Sequence, residues 1–62
     1  MVMRIRELRE AREMTQGELA ERMGVDRTGV NKWESEVALP RARQLPQLAE
    51  VLGCSISELF ED

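Results

Sequence analysis

The sequence predicts a compact, all-α domain of five short helices. Apolar residues recur at helical spacing along the chain, and no stretch shows the apolar–polar alternation of a half-buried strand. Two capping-box sequences and two well-placed glycines mark where helices begin and end. A chain of 62 residues is near the lower size limit for independent folding, so we expect one domain, 1–62.

The first two helices are defined by a capping box between them. The first is predicted from about Met3 to Arg12, with one apolar and one charged face. In the sequence Thr15-Gln16-Gly17-Glu18, the Thr15 hydroxyl can accept the Glu18 N–H while the Glu18 carboxylate accepts the Thr15 N–H. The second helix therefore begins at Gln16. It ends at Gly24, a residue suited to a left-handed backbone.

A very short connection leads to the third helix. Only Val25 separates Gly24 from Asp26, a favourable N-cap for a helix from Arg27 to about Glu34. A tight, glycine-containing turn between two short helices is typical of a helix-turn-helix.

Two further helices are predicted after the loop that Pro40 ends. Pro46 is tolerated only in a first turn, so the fourth helix begins at about Arg43 or later, and Gly53 ends it. Ser55-Ile56-Ser57-Glu58 is a second capping box, which predicts a short last helix.

The composition excludes several classes of protein. Cys54 is the single cysteine and there is no histidine, so neither a disulfide framework nor a zinc site is expected. No apolar run approaches the roughly 20 residues of a membrane span, and no signal peptide is evident. We expect a cytoplasmic protein with no cofactor, no metal and no small-molecule ligand. A catalytic role is disfavoured because no acidic pair has a cleft to work in.

The net charge of the chain argues against DNA binding, but the local charge of its middle segment does not. The formal net charge is −3. Residues 27–43 carry four basic and two acidic side chains, whereas 44–62 carry four acidic and no basic ones. Salt screens charges beyond about 10 Å at 0.1 M, so the local window matters more than the total.

The third helix combines an inward apolar stripe with an outward polar row. Val30 and Trp33 are predicted to face the core, and the spacing makes Trp33 a core residue rather than a base-stacking one. The row opposite suits the major groove, where arginine pairs with guanine, asparagine with adenine, and threonine or lysine with several edges. This row, the predicted base contacts, consists of Arg27, Thr28, Asn31 and Lys32.

Other side chains are predicted to hold the DNA backbone. Gln16, with Thr15 beside it, lies at a helix N-terminus, where the helix dipole favours a phosphate. Arg41 and Arg43 follow the loop and are candidates for flanking phosphates.

Family-typical residues extend from Thr15-Gln16 through Gly24-Val25 and Trp33-Glu34 to Leu59, and through them nearly the whole chain resembles the lambda-repressor-like family, also called the Cro or Xre type. The resemblance implies five helices, of which the second and third read DNA, and it implies a homodimer on a palindromic operator. It also implies a structural ion pair between Arg9 and Glu34, and dimer contacts from the C-terminal half, with Leu59 and Phe60 as candidates. The positions that match the family are Thr15-Gln16, Leu19-Ala20, Gly24-Val25, Val30, Trp33-Glu34, Pro40, Leu48-Ala49, Leu52-Gly53 and Leu59.

The sequence departs from the family pattern at two positions besides its acidic balance. Gly29 lies inside the third helix, where glycine costs about 1 kcal/mol relative to alanine. Glu36 stands in the loop where the family usually has glycine. The main function predicted is a sequence-specific transcriptional regulator acting as a repressor. The alternative is a protein-interaction module, such as an antitoxin or a regulator subunit, which the acidic C-terminal segment suits.

Overall fold

The computed structural model describes residues 3–60. Four α-helices follow one another along the chain: α1 (Ile5–Ala11), α2 (Gln16–Met23), α3 (Arg27–Glu34) and α4 (Leu45–Leu52). Two single turns of 3₁₀-helix complete the structure, Ala42–Gln44 directly before α4 and Ser57–Leu59 near the C-terminus. Within residues 3–60 no helix has the length and hydrophobicity needed to cross a bilayer.

The predicted count of five helices is not met in the described part of the chain, because the last element is a 3₁₀ turn. After Leu59 the chain becomes extended at Phe60, which pairs with Met3 in an isolated antiparallel bridge. The Arg4 N–H donates to the Leu59 carbonyl at 2.6 Å, and Arg4 is the N-cap of α1, so the first helix begins at Ile5 and not at Met3. Backbone groups of residues 3–4 and 59–60 therefore pair with each other and do not extend helices.

One apolar core joins all four helices. It is closed by partly buried side chains from the termini and turns, including Met3 and Phe60. Val30 and Trp33, the two residues predicted to face the core, are both part of it. The buried apolar residues are Ile5, Met14, Leu19, Ala20, Met23, Val30, Trp33, Leu48, Ala49, Leu52 and Leu59.

Leu59 cannot supply the dimer contact predicted for it. Its side chain has no solvent exposure in the monomer, because the 3₁₀ turn directs it into the core. Phe60, the other predicted contact, is half-buried and packs against the same core. Among the described residues, the most exposed large apolar side chains are instead Val37 and Leu39, in the loop after α3.

Both capping boxes are present. At the start of α2, the Glu18 N–H donates to the Thr15 hydroxyl at 3.1 Å and the Thr15 N–H donates to the Glu18 carboxylate at 2.9 Å. Ser55 and Glu58 make the equivalent bonds at 3.2 and 2.9 Å. Hydrogen bonds from the Thr15 and Ser55 backbones lower the pKa of Glu18 and of Glu58, respectively, since they stabilise the ionised carboxylates.

All four helices end in the same way. A residue one or two positions past each helix has a left-handed backbone, and its N–H and the next one bond back to carbonyls of the last turn, as in a Schellman motif. Glycine was predicted at two of these positions, and glutamate occupies the other two, with φ of 55° and 63°. The four left-handed residues, in chain order, are Glu13, Gly24, Glu36 and Gly53.

Candidate nucleic-acid interface

The polar row of α3 lies on the surface. Val30 has no exposure and Trp33 only 7%, so the apolar stripe fixes which side of the helix faces the core. The four side chains predicted to contact bases are all exposed: Arg27, Thr28, Asn31 and Lys32. Because residues four apart share a helix face, the row forms two adjacent columns that point away from the core.

The turn between α2 and α3 fixes the position of this row. Gly24 has φ +69°, and the Val25 N–H donates to the Ala20 carbonyl at 3.0 Å. Ala20 is 3% exposed, and α2 makes its most extensive contacts with α3. The two packed helices thus present one face of α3 to solvent.

Two features at the start of α3 differ from simple expectation. Asp26 occupies the N-cap position with extended backbone, but its side chain makes no capping hydrogen bond. Asp26 therefore caps the helix by its backbone position alone. Its exposed carboxylate lies beside the polar row of α3. Gly29 is half-buried, and a Cβ built on it would meet Val25 at 3.9 Å, an ordinary packing distance.

Arg9, Glu34 and Gln16 form a hydrogen-bonded cluster that joins α1, α2 and α3. The Arg9 guanidinium donates to the Glu34 carboxylate from Nε at 2.7 Å and from a terminal nitrogen at 3.2 Å. Its other terminal nitrogen donates to the Met14 carbonyl at 2.6 Å. The Arg9 and Glu34 side chains are 11% and 5% exposed. The hydrogen bond to Glu34 raises the pKa of Arg9 further above its ordinary value, so the guanidinium stays charged.

Gln16 lies at the open side of this cluster. Its Nε2 donates to Glu34 Oε1 at 3.1 Å. The side chain also lines a polar cleft of about 380 Å³ between α1 and the facing ends of α2 and α3. The cleft therefore brings a predicted phosphate ligand, Gln16, together with one predicted base reader, Asn31. The lining residues are Arg6, Arg9, Gln16, Asn31, Glu34 and Ser35.

The other predicted phosphate ligands are accessible but lie on separate segments. The Thr15 hydroxyl oxygen accepts the Glu18 N–H, yet the hydroxyl retains a proton that it can donate. Arg43 is exposed on the 3₁₀ turn before α4 and Arg41 is the exposed residue that precedes this turn, and both are distant in sequence from the residues of the cleft. The Arg41 backbone N–H donates to the Gln44 side chain at 2.8 Å, which fixes the start of that turn.

Sequence reasoning missed the part that Arg6 and Glu34 play around Gln16. Arg6 is three residues before Arg9, which places the two on one helix face and was a usable signal. The contact between Glu34 and Gln16 joins residues 18 apart in sequence, and no local spacing predicts it.

Comparison with known proteins identifies the same architecture. The sequence profile described as helix-turn-helix matches residues 5–59. The HTH-type transcriptional activator BcrR of Enterococcus faecalis is 34% identical over 57 residues, which are 92% of this chain and 28% of that relative. The chain thus spans just over a quarter of the length of this relative.

Two solved structures are similar. The P22 c2 repressor in complex with a synthetic operator has a TM-score of 0.89 and 28% identity, over 98% of this chain and 96% of that one. The Fe(II) form of HppE in complex with substrate has a TM-score of 0.83 and 33% identity, over 92% of this chain but 33% of that one. The second likeness therefore concerns a part of a longer protein.

Proposed function

The chain belongs to the helix-turn-helix family, in its lambda-repressor-like branch, and on this basis we propose that residues 1–62 are a sequence-specific DNA-binding domain that regulates transcription. The observation that carries the proposal is the exposed polar row on α3, which the buried Val30 and Trp33 hold away from the core. The similarity to the P22 c2 repressor supports the proposal, because it covers nearly the whole of both chains and that repressor was solved in complex with an operator.

In this proposal α3 enters the major groove. Arg27 bonds guanine O6 and N7, and Asn31 bonds adenine N6 and N7. Thr28 contacts a base edge or a thymine methyl group, and Lys32 reaches guanine or a phosphate. The backbone on either side is held by Gln16, Thr15, Arg41 and Arg43.

We further propose a homodimer that acts as a repressor on a roughly palindromic operator. Two α3 helices would enter successive major grooves about 34 Å apart. The apolar side chains accessible for a contact between copies include Ile56, part of Phe60, and Val37 and Leu39 of the loop after α3. Repression is favoured over activation because the end-to-end structural likeness is to a repressor, whereas the activator BcrR is more than three times longer than the matched segment.

Two arginine variants test the division between base readers and phosphate ligands. Arg27→Ala should relax the base preference at one position of each half-site and weaken operator binding by about 1–3 kcal/mol. Arg43→Ala should weaken binding to all duplexes alike and reduce the slope of log K against log[salt] by about 0.9. The operator is first selected from a random DNA pool. If the two variants change preference and salt slope identically, the division is wrong.

The alternative, a protein-interaction module, rests on the acidic C-terminal segment. A gel-shift titration against the selected duplex, at low and at moderate salt, separates the two functions. Binding that falls steeply with salt supports a DNA-binding protein, since phosphate contacts release counterions. A wild-type chain that selects no duplex at low salt would favour the interaction module.

A further inference from the structure

The bond between Gln16 and Glu34 gives a role to a residue that does not face DNA. Glu34 is nearly buried, and its Oε1 accepts hydrogen bonds from both Arg9 and Gln16. We propose that Glu34 is a positioning residue for DNA binding, because it holds the Gln16 amide with its nitrogen, not its oxygen, available to a phosphate. The inference rests on the proposed function and assigns a mechanism to its phosphate contact.

The chemistry of the two groups dictates the orientation. An ionised carboxylate only accepts hydrogen bonds, and the glutamine amide has two N–H donors at one end and a carbonyl acceptor at the other. Glu34 therefore selects the nitrogen end of Gln16. One N–H is used at 3.1 Å, and the second remains on the same planar group, which lines the polar cleft. A phosphate also only accepts, so the flipped amide would present an oxygen to it and repel it.

Arg9 makes this arrangement compatible with a polyanion. A carboxylate in contact with the phosphate ligand would oppose DNA binding if its charge were unbalanced. Arg9 donates two hydrogen bonds to that carboxylate, and its bond to the Met14 carbonyl keeps the guanidinium in place. Arg9 thus balances the charge, Glu34 orients the amide, and Gln16 makes the contact.

A double-mutant cycle on the selected operator tests the proposal. Gln16→Ala should weaken binding about tenfold in the native background, the effect of losing one hydrogen bond to a charged group. In a Glu34→Gln background the same change should weaken binding by less than about twofold, since the amide is no longer held in one orientation. An equal effect of Gln16→Ala in both backgrounds would show that Glu34 is only structural, and would overturn the proposal.

Glu7→Gln is the matched control. It also removes one carboxylate that is paired with an arginine, but the Glu7 side chain is 66% exposed on α1 and is bonded to Arg4. In this background Gln16→Ala should keep its full effect of about tenfold. A reduced effect here would mean that net charge, not orientation, causes the coupling, and would count against the proposal.

A measurement on the wild-type chain without DNA covers the case in which Glu34→Gln fails to fold. The Gln16 side-chain amide proton that is bonded to Glu34 should exchange with water at least several-fold more slowly than either amide proton of Gln44, whose side chain is bonded through its oxygen. Equal exchange would overturn the orientation. If the wild-type chain binds no duplex, the proposed function fails as well. If it binds DNA and shows neither coupling nor slow exchange, only the role of Glu34 is refuted.

Discussion

Glu36, the second residue after α3, has a left-handed backbone with φ +63°. A left-handed conformation costs an L-residue roughly 1–2 kcal/mol, which glycine avoids at the expense of about 0.5–1 kcal/mol in unfolded-state entropy. The Val37 N–H still donates to the Lys32 carbonyl at 3.0 Å, so the turn forms despite the side chain. The structure thereby explains why glycine is the usual family residue at this position.

We expect Glu36→Gly to stabilise the domain by about 0.5–1 kcal/mol, an increase of several degrees in Tm for a chain of this size. Thermal unfolding followed by Trp33 fluorescence measures the effect. Glu36→Ala is the control, because it removes the same charge but keeps a Cβ in the strained conformation. A gain of equal size in both variants would assign the effect to charge rather than to backbone strain.

The ends of the helices show how far local sequence determines each element. Gly24 and Gly53 were predicted as helix ends because glycine adopts positive φ at little cost, and both do so. The same turn at Glu13 and Glu36 was not predicted, because a glutamate rarely adopts positive φ and so does not indicate such a turn. The bridge between Met3 and Phe60 was also missed, because it joins the two ends of the chain. Periodicity and caps thus predict elements, but not contacts between distant residues.

Gly29 lowers the stability of α3, and a substitution to alanine should remove this cost. We expect Gly29→Ala to stabilise the domain by about 1 kcal/mol, because alanine is the better helix former and its Cβ would meet Val25 at 3.9 Å without a clash. Since that Cβ points toward Val25, base preference should not change. Gly24→Ala is the matched control and should destabilise, as Gly24 has φ +69°. A changed base preference in Gly29→Ala would place position 29 at the DNA surface.

The two capping boxes make the helix starts sensitive to acid. Hydrogen bonding lowers the folded-state pKa of Glu18 and Glu58 from an ordinary value of 4.5, so their stabilisation is complete above about pH 4.5 and is lost as pH falls through the lowered values. A Glu18→Gln/Glu58→Gln variant keeps an acceptor but cannot titrate. Its Tm should therefore fall less than that of the wild type between pH 6 and pH 3.

Glu21→Gln is the comparison for this acid experiment. It removes an exposed carboxylate from α2 but leaves both boxes intact. Its Tm should follow the wild-type curve into acid. If its Tm falls as little between pH 6 and pH 3 as that of the double variant, the loss of stability in acid results from general charge effects and not from the capping boxes.

At the scale of the whole molecule, the candidate site and the scaffold share residues. The outward row of α3 was predictable because helical spacing alone separates it from Val30 and Trp33. The cleft was not, since it depends on how α1 packs across the ends of α2 and α3. Arg9 and Glu34 occupy that junction, so the side chains proposed to orient Gln16 also join three helices.

This junction leads to a prediction about global stability. Removing one partner of a buried ion pair costs about 3–5 kcal/mol, because the other charge stays buried without compensation. A single core of this size supplies no more than about 3–5 kcal/mol in total. Arg9→Met should therefore leave the domain largely unfolded at 37 °C, with the fluorescence of Trp33, which is 7% exposed in the folded state, reporting the loss.

The double variant Arg9→Met/Glu34→Met distinguishes charge burial from lost packing. With both charges replaced by apolar groups of similar volume, no ion is left stranded, and such exchanges are often neutral or stabilising. We therefore expect the double variant to regain most of the stability that Arg9→Met loses, while operator binding stays impaired because Gln16 has lost its acceptor. If the double variant is as unstable as the single one, the bond from Arg9 to the Met14 carbonyl, and not the ion pair, is what holds α1 to the start of α2.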